Sequence, residues 1–180
     1  MIWSKLVTLG LLGAAAVLAQ KVGYNFDETA DFSKYKTYKW VEHKGSDPLD
    51  ELTSKQVKAA LNGELAKKGL TEAVGDGADL LVSYQVAIKQ EKEYTSFDPG
   101  WPYGPGWRRG WGAPPIRSGT TSTFSVGTLV LDLYDSAKHQ LVWRGTATKT
   151  IDENAKPEKR QKTLTTGAAK LLKSYPPKQK

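Results

Sequence analysis

The chain has 180 residues, with 26 Lys and Arg against 19 Asp and Glu, a net charge of +7 and no cysteine. The lack of cysteine excludes disulfides, thiol catalysis and cysteine-ligated metal or iron–sulfur sites. Because the lysines are scattered rather than gathered into a stripe, the charge predicts a solvated basic surface and no nucleic-acid partner. Weak attraction to anionic lipid headgroups or cell-wall polymers is the alternative.

Residues 1–19 are typical of an export signal. A positively charged n-region, which contains Lys5, is followed by 14 uncharged residues, Leu6 to Ala19. These end in the small residues that signal peptidase needs. A membrane anchor is the alternative, but this stretch falls short of the ~20 residues needed to cross a bilayer. We therefore expect cleavage before Gln20 and a soluble periplasmic protein, since an exported chain without disulfides fits that compartment.

Apolar periodicity in residues 20–180 predicts a single domain with the element order β-β-α-β-β-β-α. The predicted strands cover 21–27, 35–41, 79–93, 120–134 and 141–151. Ser46 to Pro48 signals the start of the first helix, and Gly69 occupies the position of a left-handed cap at its end. Its apolar residues at helical spacing are Leu49, Leu52, Val57, Ala60, Leu61 and Leu65.

The second helix begins at Pro157 or Glu158 and stops before Pro176-Pro177. The predicted fold class is α+β, with a mostly antiparallel five-stranded sheet and two helices packed on one face.

Residues 125–147 predict a hairpin. Leu129, Leu131 and Leu133 alternate with other side chains, so one face of the first strand is fully apolar. A polar turn follows at 135–139, where Asp and Ser can bond their own backbone. Asp132 and Arg144 would face each other across the pair as a surface ion pair worth ~0.2–1 kcal/mol.

A loop at 94–118 is the best candidate for function. Residues 99–119 hold six glycines, five prolines and three tryptophans, a composition that forbids both helix and ladder pairing. It is interpreted as a flexible linker, as a recognition surface rich in hot-spot residues, or as a membrane contact. The predicted ligand- or partner-binding residues are Trp101, Tyr103, Trp107, Arg108, Arg109 and Trp111.

The remaining chemistry argues against catalysis. The two histidines, His43 and His139, lie in separate polar turns, and their spacing indicates no metal site. No G-x-S-x-G nucleophile motif is present. We expect no enzyme, no metal and no cofactor, but a binding or envelope-associated module whose partner is an envelope protein or a cell-wall polymer. The alternative is a hydrolase or transferase for a wall polymer or lipid, with its site beneath the 94–118 loop.

Four stretches along the chain together resemble one known family. They are ADFSKYKTYKW at 30–40, ADLLVSYQV at 78–86, GTLVLDLYD with LVWRGTA at 127–147, and SYPP at 174–177. The set is similar to the bacterial envelope family called domain of unknown function 4136. The resemblance implies an exported α+β domain, commonly a lipoprotein, with no established enzymatic role. The lipid-bearing cysteine usual after the signal is missing here, which favours a soluble periplasmic protein.

Overall fold

The computed structural model describes residues 20–42, 49–75, 77–97 and 118–178. These residues form two α-helices, α1 (Glu51–Lys67) and α2 (Pro157–Leu171). Short 3-10 turns cover Phe32–Lys34 and Leu172–Ser174. The strands are β1 (Lys21–Phe26), β2 (Thr37–Trp40), β3 (Thr71–Glu72), β4 (Leu80–Phe97), β5 (Ser118–Asp135) and β6 (Gln140–Ile151). They form one sheet in the order β1-β6-β5-β4-β2-β3.

The α+β class is confirmed, but the described sheet has six strands rather than five. The additional strand, β3, spans only two residues and is too short to give a periodic sequence pattern. Both β3 and β4 pair with β2 in parallel, whereas the other neighbours are antiparallel. Parallel pairing follows from the crossover through α1, which returns the chain to the end of the sheet where β2 starts.

Strand β4 extends past its predicted end at Glu93 and reaches Phe97, paired with β5 from Ser118 onward. The polar run from Lys89 therefore stays in the ladder, because backbone pairing between two strands does not require apolar side chains. The residues that join β4 to β5 lie outside the described part of the chain.

The helix boundaries follow their caps. Asp50 caps α1: its side chain accepts a hydrogen bond from the Thr53 N–H at 2.9 Å. The predicted start signal at Ser46 to Pro48 lies outside the described residues. Gly69 has φ +82°, which confirms the left-handed cap. Leu52, which the sequence places among the apolar residues at helical spacing, is 66% exposed and does not join the buried face of α1. At about 100° per residue, it lies on the opposite side of the helix from the buried Leu61.

Both helices pack on one face of the sheet and share one core with it. The helices contribute Val57, Leu61, Leu65, Ala168 and Leu171, and the sheet contributes Val82, Leu131, Leu133, Trp143 and Ala147. The predicted apolar face of the hairpin is thus confirmed. Within the described ranges, no helix combines the length and apolarity needed to cross a membrane.

Candidate functional site

Asp79 connects the starts of β2 and β4, two neighbouring strands that begin at the same end of the sheet. Asp79, just before β4, accepts hydrogen bonds through Oδ2 from the backbone N–H groups of Lys36 and Thr37, both at 2.8 Å. The Thr37 hydroxyl donates to the same oxygen at 2.9 Å and accepts from the Asp79 N–H at 3.0 Å. These bonds fix the start of β2 against the start of β4 and set their parallel register.

A second aspartate closes the same end of the sheet where β5 finishes. One carboxylate oxygen of Asp135 accepts from the N–H groups of Ala137 and Lys138, each at 2.9 Å, and so holds the turn into β6. Its other oxygen accepts from the Tyr35 hydroxyl at 2.9 Å, a contact that spans 100 positions in sequence. The two aspartates thereby hold the segment that precedes β2 in a defined place.

Aromatic rings fill the space beside these carboxylates. Phe32 meets Tyr35 and Tyr175 edge to face, with ring centroids 6.0 and 5.8 Å apart. Tyr175 in turn meets the buried Trp143 at 5.6 Å. The four stretches that carry the family resemblance therefore converge in space, since each contributes a residue to this cluster or to its two aspartates.

A cleft of about 290 Å³ opens between these rings and the end of α1. It is lined by Phe32, Ser33, Tyr35, Lys36, Lys68, Leu70, Tyr175, Pro176 and Pro177. Lys68 also donates from Nζ to the Lys173 carbonyl at 3.4 Å. The cleft thus combines flat apolar walls with two positive charges, an arrangement suited to a ligand that carries an anionic group.

Three groups at this end of the sheet have shifted pKa values. The backbone N–H groups of Lys36 and Thr37 lower the pKa of Asp79, and the backbone N–H of Lys138 lowers that of Asp135. Burial, followed by the bond to Asp135, raises the pKa of Tyr35 to about 12. None of the three changes protonation near pH 7, as a general acid or base must.

Replacing Asp79 with asparagine is expected to weaken the dependence of stability on pH in acid. Its pKa lies below the ordinary 3.8 in the folded chain. The carboxylate therefore contributes stability above that value and loses it as the pH falls through the lowered pKa. Urea unfolding at about pH 5 and about pH 2.5 measures the change. The exposed Glu28→Gln substitution is the control; equal acid sensitivity in wild type and Asp79→Asn would contradict the prediction.

The residues predicted from the loop, Trp101, Tyr103, Trp107, Arg108, Arg109 and Trp111, lie outside the described residues, as does His43. Their role in binding stays a prediction. His139 sits in the β5–β6 turn with φ +53°. Among the residues that the structure describes, no three His, Asp or Glu side chains are grouped to hold a metal ion.

The predicted cross-strand pair is present but is not a surface pair. Arg144 donates from Nε and from a terminal nitrogen to the two oxygens of Asp132, at 2.6 and 2.7 Å. Only 2% of the Asp132 side chain is exposed, against 45% of Arg144. The Tyr134 hydroxyl reaches the same carboxylate at 3.4 Å. The pair lies on the face of the sheet that α1 and α2 do not cover, away from the cleft.

Sequence reasoning missed the cleft because it treated each motif as a separate element. A signal was present: Asp31, Asp79 and Asp135 each stand where a strand or a turn begins or ends, and aromatic residues accompany them. Aspartate at such positions caps backbone N–H groups. Placing all three at one end of the sheet would have indicated the cluster.

One comparison with known proteins covers nearly the whole described fold. The family model described as "Domain of unknown function (DUF4136)" matches residues 22–177. No curated protein matches the chain.

Solved structures match at low sequence identity. A PDZ domain protein from Parabacteroides distasonis aligns with a TM-score of 0.53 and 15% identity, over 89% of this chain and 37% of its own. The chain therefore spans little more than a third of that protein, and the likeness concerns the fold alone. A PelC dodecamer from Paraburkholderia phytofirmans aligns with a TM-score of 0.47 and 14% identity, over 86% of this chain and 95% of its own.

Proposed function

The chain belongs to the family described as domain of unknown function (DUF4136), and from this premise we propose that it is an exported periplasmic protein that acts as a non-catalytic binding module of the cell envelope. The export signal predicted at 1–19 and the resemblance to an envelope family support the location. The ligand is an envelope component, a protein or a cell-wall polymer, that presents carboxylate or phosphate groups.

The cleft is the observation that supports binding. Its lining residues include Phe32, Tyr175 and the two prolines, together with the basic residues Lys36 and Lys68. Flat rings offer contact area at little entropic cost. Lysine offers a positive charge on a flexible stem, which meets an anionic group without fixed geometry. A ligand with an apolar ring or chain next to an acidic group fits both.

The fixed charge states support a role without catalysis. The Asp79 and Asp135 carboxylates are already occupied by backbone N–H groups and by the Tyr35 hydroxyl. A carboxylate engaged in this way serves the fold, since protonating it would weaken the hydrogen bonds that it accepts. The alternative, a hydrolase or transferase for a wall polymer or lipid, predicts altered products when the chain is incubated with such a polymer, which mass spectrometry detects.

Neutralising the cleft lysines is expected to reduce capture of the ligand about tenfold, because each ion pair that reaches solvent contributes ~0.2–1 kcal/mol. The test compares envelope material retained by the immobilised chain with that retained by the Lys36→Gln/Lys68→Gln variant. The matched control is Lys89→Gln/Lys92→Gln, which removes two exposed charges from β4. Equal losses in both variants would mean that the general basic charge, and not the cleft, retains the material.

A third variant separates the cleft from the predicted loop. Replacing residues 99–118 with a short Gly/Ser linker removes Trp101, Trp107 and Trp111 together with their neighbours and leaves Lys36 and Lys68 in place. The proposal for the cleft predicts that this variant retains the ligand, whereas the prediction for the loop residues requires its loss. Loss of capture here, with normal capture by the lysine variant, would assign binding to the loop residues and overturn the proposal for the cleft.

A further inference from the structure

Strand β1 is an edge strand of the sheet and is exposed from Lys21 to Asn25. Within the described ranges it pairs only with β6, on one side. Val22 and Tyr24 are 40% and 51% exposed. Sheet edges of this kind are normally protected by proline, by a bulge or by several charges. Residues 21–26 contain no proline and one charge, Lys21, and their pairing with β6 shows no register shift.

The outward-facing backbone groups of β1 belong to its even-numbered residues. The Asp27 N–H bonds the Val142 carbonyl of β6 at 2.9 Å. Since pairs in an antiparallel ladder alternate, Lys21, Gly23 and Asn25 also direct their groups to β6. The N–H and carbonyl groups of Val22, Tyr24 and Phe26 therefore point away from the sheet. The Phe26 N–H accordingly takes the Asn25 side-chain oxygen, at 2.9 Å, instead of a strand partner.

We propose that the outer edge of β1 pairs with β1 of a second copy of this chain, antiparallel and centred on Tyr24. In this register Tyr24 opposes Tyr24 of the second copy, and Val22 opposes its Phe26. All three residues with outward groups then pair, and the Phe26 N–H exchanges the Asn25 side-chain oxygen for a carbonyl of the second copy, which gives about six backbone hydrogen bonds between the copies. The arrangement has two-fold symmetry, so each copy presents the same strand to the other.

Charge complementarity selects this register. With Tyr24 at the centre, Lys21 lies opposite Asp27 of the second copy, and the symmetry creates the pair twice. The contacts of Asp27 with Thr29, at 2.8 and 2.7 Å, use Oδ1, so Oδ2 remains to receive the lysine. Centring on Gly23 instead would place Lys21 opposite Asn25 and lose both ion pairs.

Apolar complementarity supports the same occupant. The even-numbered side chains share one face of β1, where Tyr24 already stacks on Phe26 with ring centroids 6.2 Å apart. Pairing with a second copy would continue this row of rings across the symmetry axis. Aromatic pairs across neighbouring strands stabilise the pairing of those strands. A second copy thus provides partners for the outward backbone groups, for Lys21 and Asp27, and for the exposed aromatic rings.

Single-cysteine cross-linking tests the proposal, because the chain has no cysteine of its own. Hydrogen-bonded partners in an antiparallel pair have Cα atoms ~5.5 Å apart, within the ~4.4–6.8 Å that a disulfide spans. The Tyr24→Cys chain is purified in the form that accumulates in an expressing bacterium. In a glutathione redox buffer we expect it to form a disulfide-linked dimer. Gly23→Cys and the exposed Lys89→Cys are the matched controls, and both should remain mostly monomeric.

Sedimentation velocity supplies a second readout without a new cysteine. We expect a monomer–dimer equilibrium whose dissociation constant rises at least about tenfold in Lys21→Glu, because two attractive pairs become repulsive. The same charge change at Lys89→Glu should leave it unaltered. Cross-linking at Gly23→Cys in place of Tyr24→Cys, or a wild-type chain that stays monomeric at every concentration, would overturn the proposal.

Discussion

Replacing Gly145 with alanine is expected to lower the free energy of unfolding by about 1–3 kcal/mol, the usual cost of overpacking a core. Gly145 lies in β6 on the face that meets the helices. A Cβ at this position would overlap the ring of Trp143 and stand 2.8 Å from Leu171 Cδ1. The ring of Trp143 is fully buried, and Tyr175 packs against it, so it has no free space into which to move.

Urea unfolding of Gly145→Ala beside Gly23→Ala isolates this effect. Gly23 is a strand glycine of the neighbouring β1, and a Cβ there would meet nothing within 4 Å. Its replacement should change stability by no more than about 0.5 kcal/mol. Similar midpoints for the two variants would mean that the Trp143 ring adjusts freely, and the packing argument would fail.

The position of Gly145 also marks where sequence reasoning stops. The alternation of Leu129, Leu131 and Leu133 predicted both the strand and its buried face, because a period of two is a local property. Gly145 is needed because the ring of Trp143 folds over position 145, which is the next residue on the same face of β6. Nothing local in the sequence specifies that rotamer, so the requirement became visible only with the packed core.

The cleft was beyond sequence reasoning for a related reason. Its bonds join positions that are far apart: Tyr35 reaches Asp135, and Asp79 reaches back to Thr37 across 42 positions. Strand propensity predicted most elements within a few residues, whereas the order of strands in the sheet decides which motifs meet. The parallel placement of β2 beside β4 has no local signal in the sequence, and it is this placement that brings Asp79 to Lys36.

Burial of the Asp132–Arg144 pair changes its expected importance. Sequence alone indicated a surface pair worth ~0.2–1 kcal/mol. In the folded chain the carboxylate is almost fully enclosed and receives two short bonds from a guanidinium that is half exposed. Removing Arg144 therefore leaves the buried Asp132 carboxylate without its cationic partner. Removing Asp132 leaves a guanidinium that water can still reach. The two halves of the pair should not be equally costly to lose.

Arg144→Leu is accordingly expected to cost about 3 kcal/mol of unfolding free energy, since an uncompensated buried charge is strongly destabilising. Asp132→Leu should cost clearly less. The double variant should be more stable than Arg144→Leu alone, because replacing a buried ion pair with apolar residues is often close to neutral. Urea unfolding of all four proteins gives the coupling energy of the pair as a double-mutant cycle. Equal costs for the two single variants, with a double variant equal to their sum, would mean that solvent reaches the carboxylate and that Arg144 does not compensate its burial.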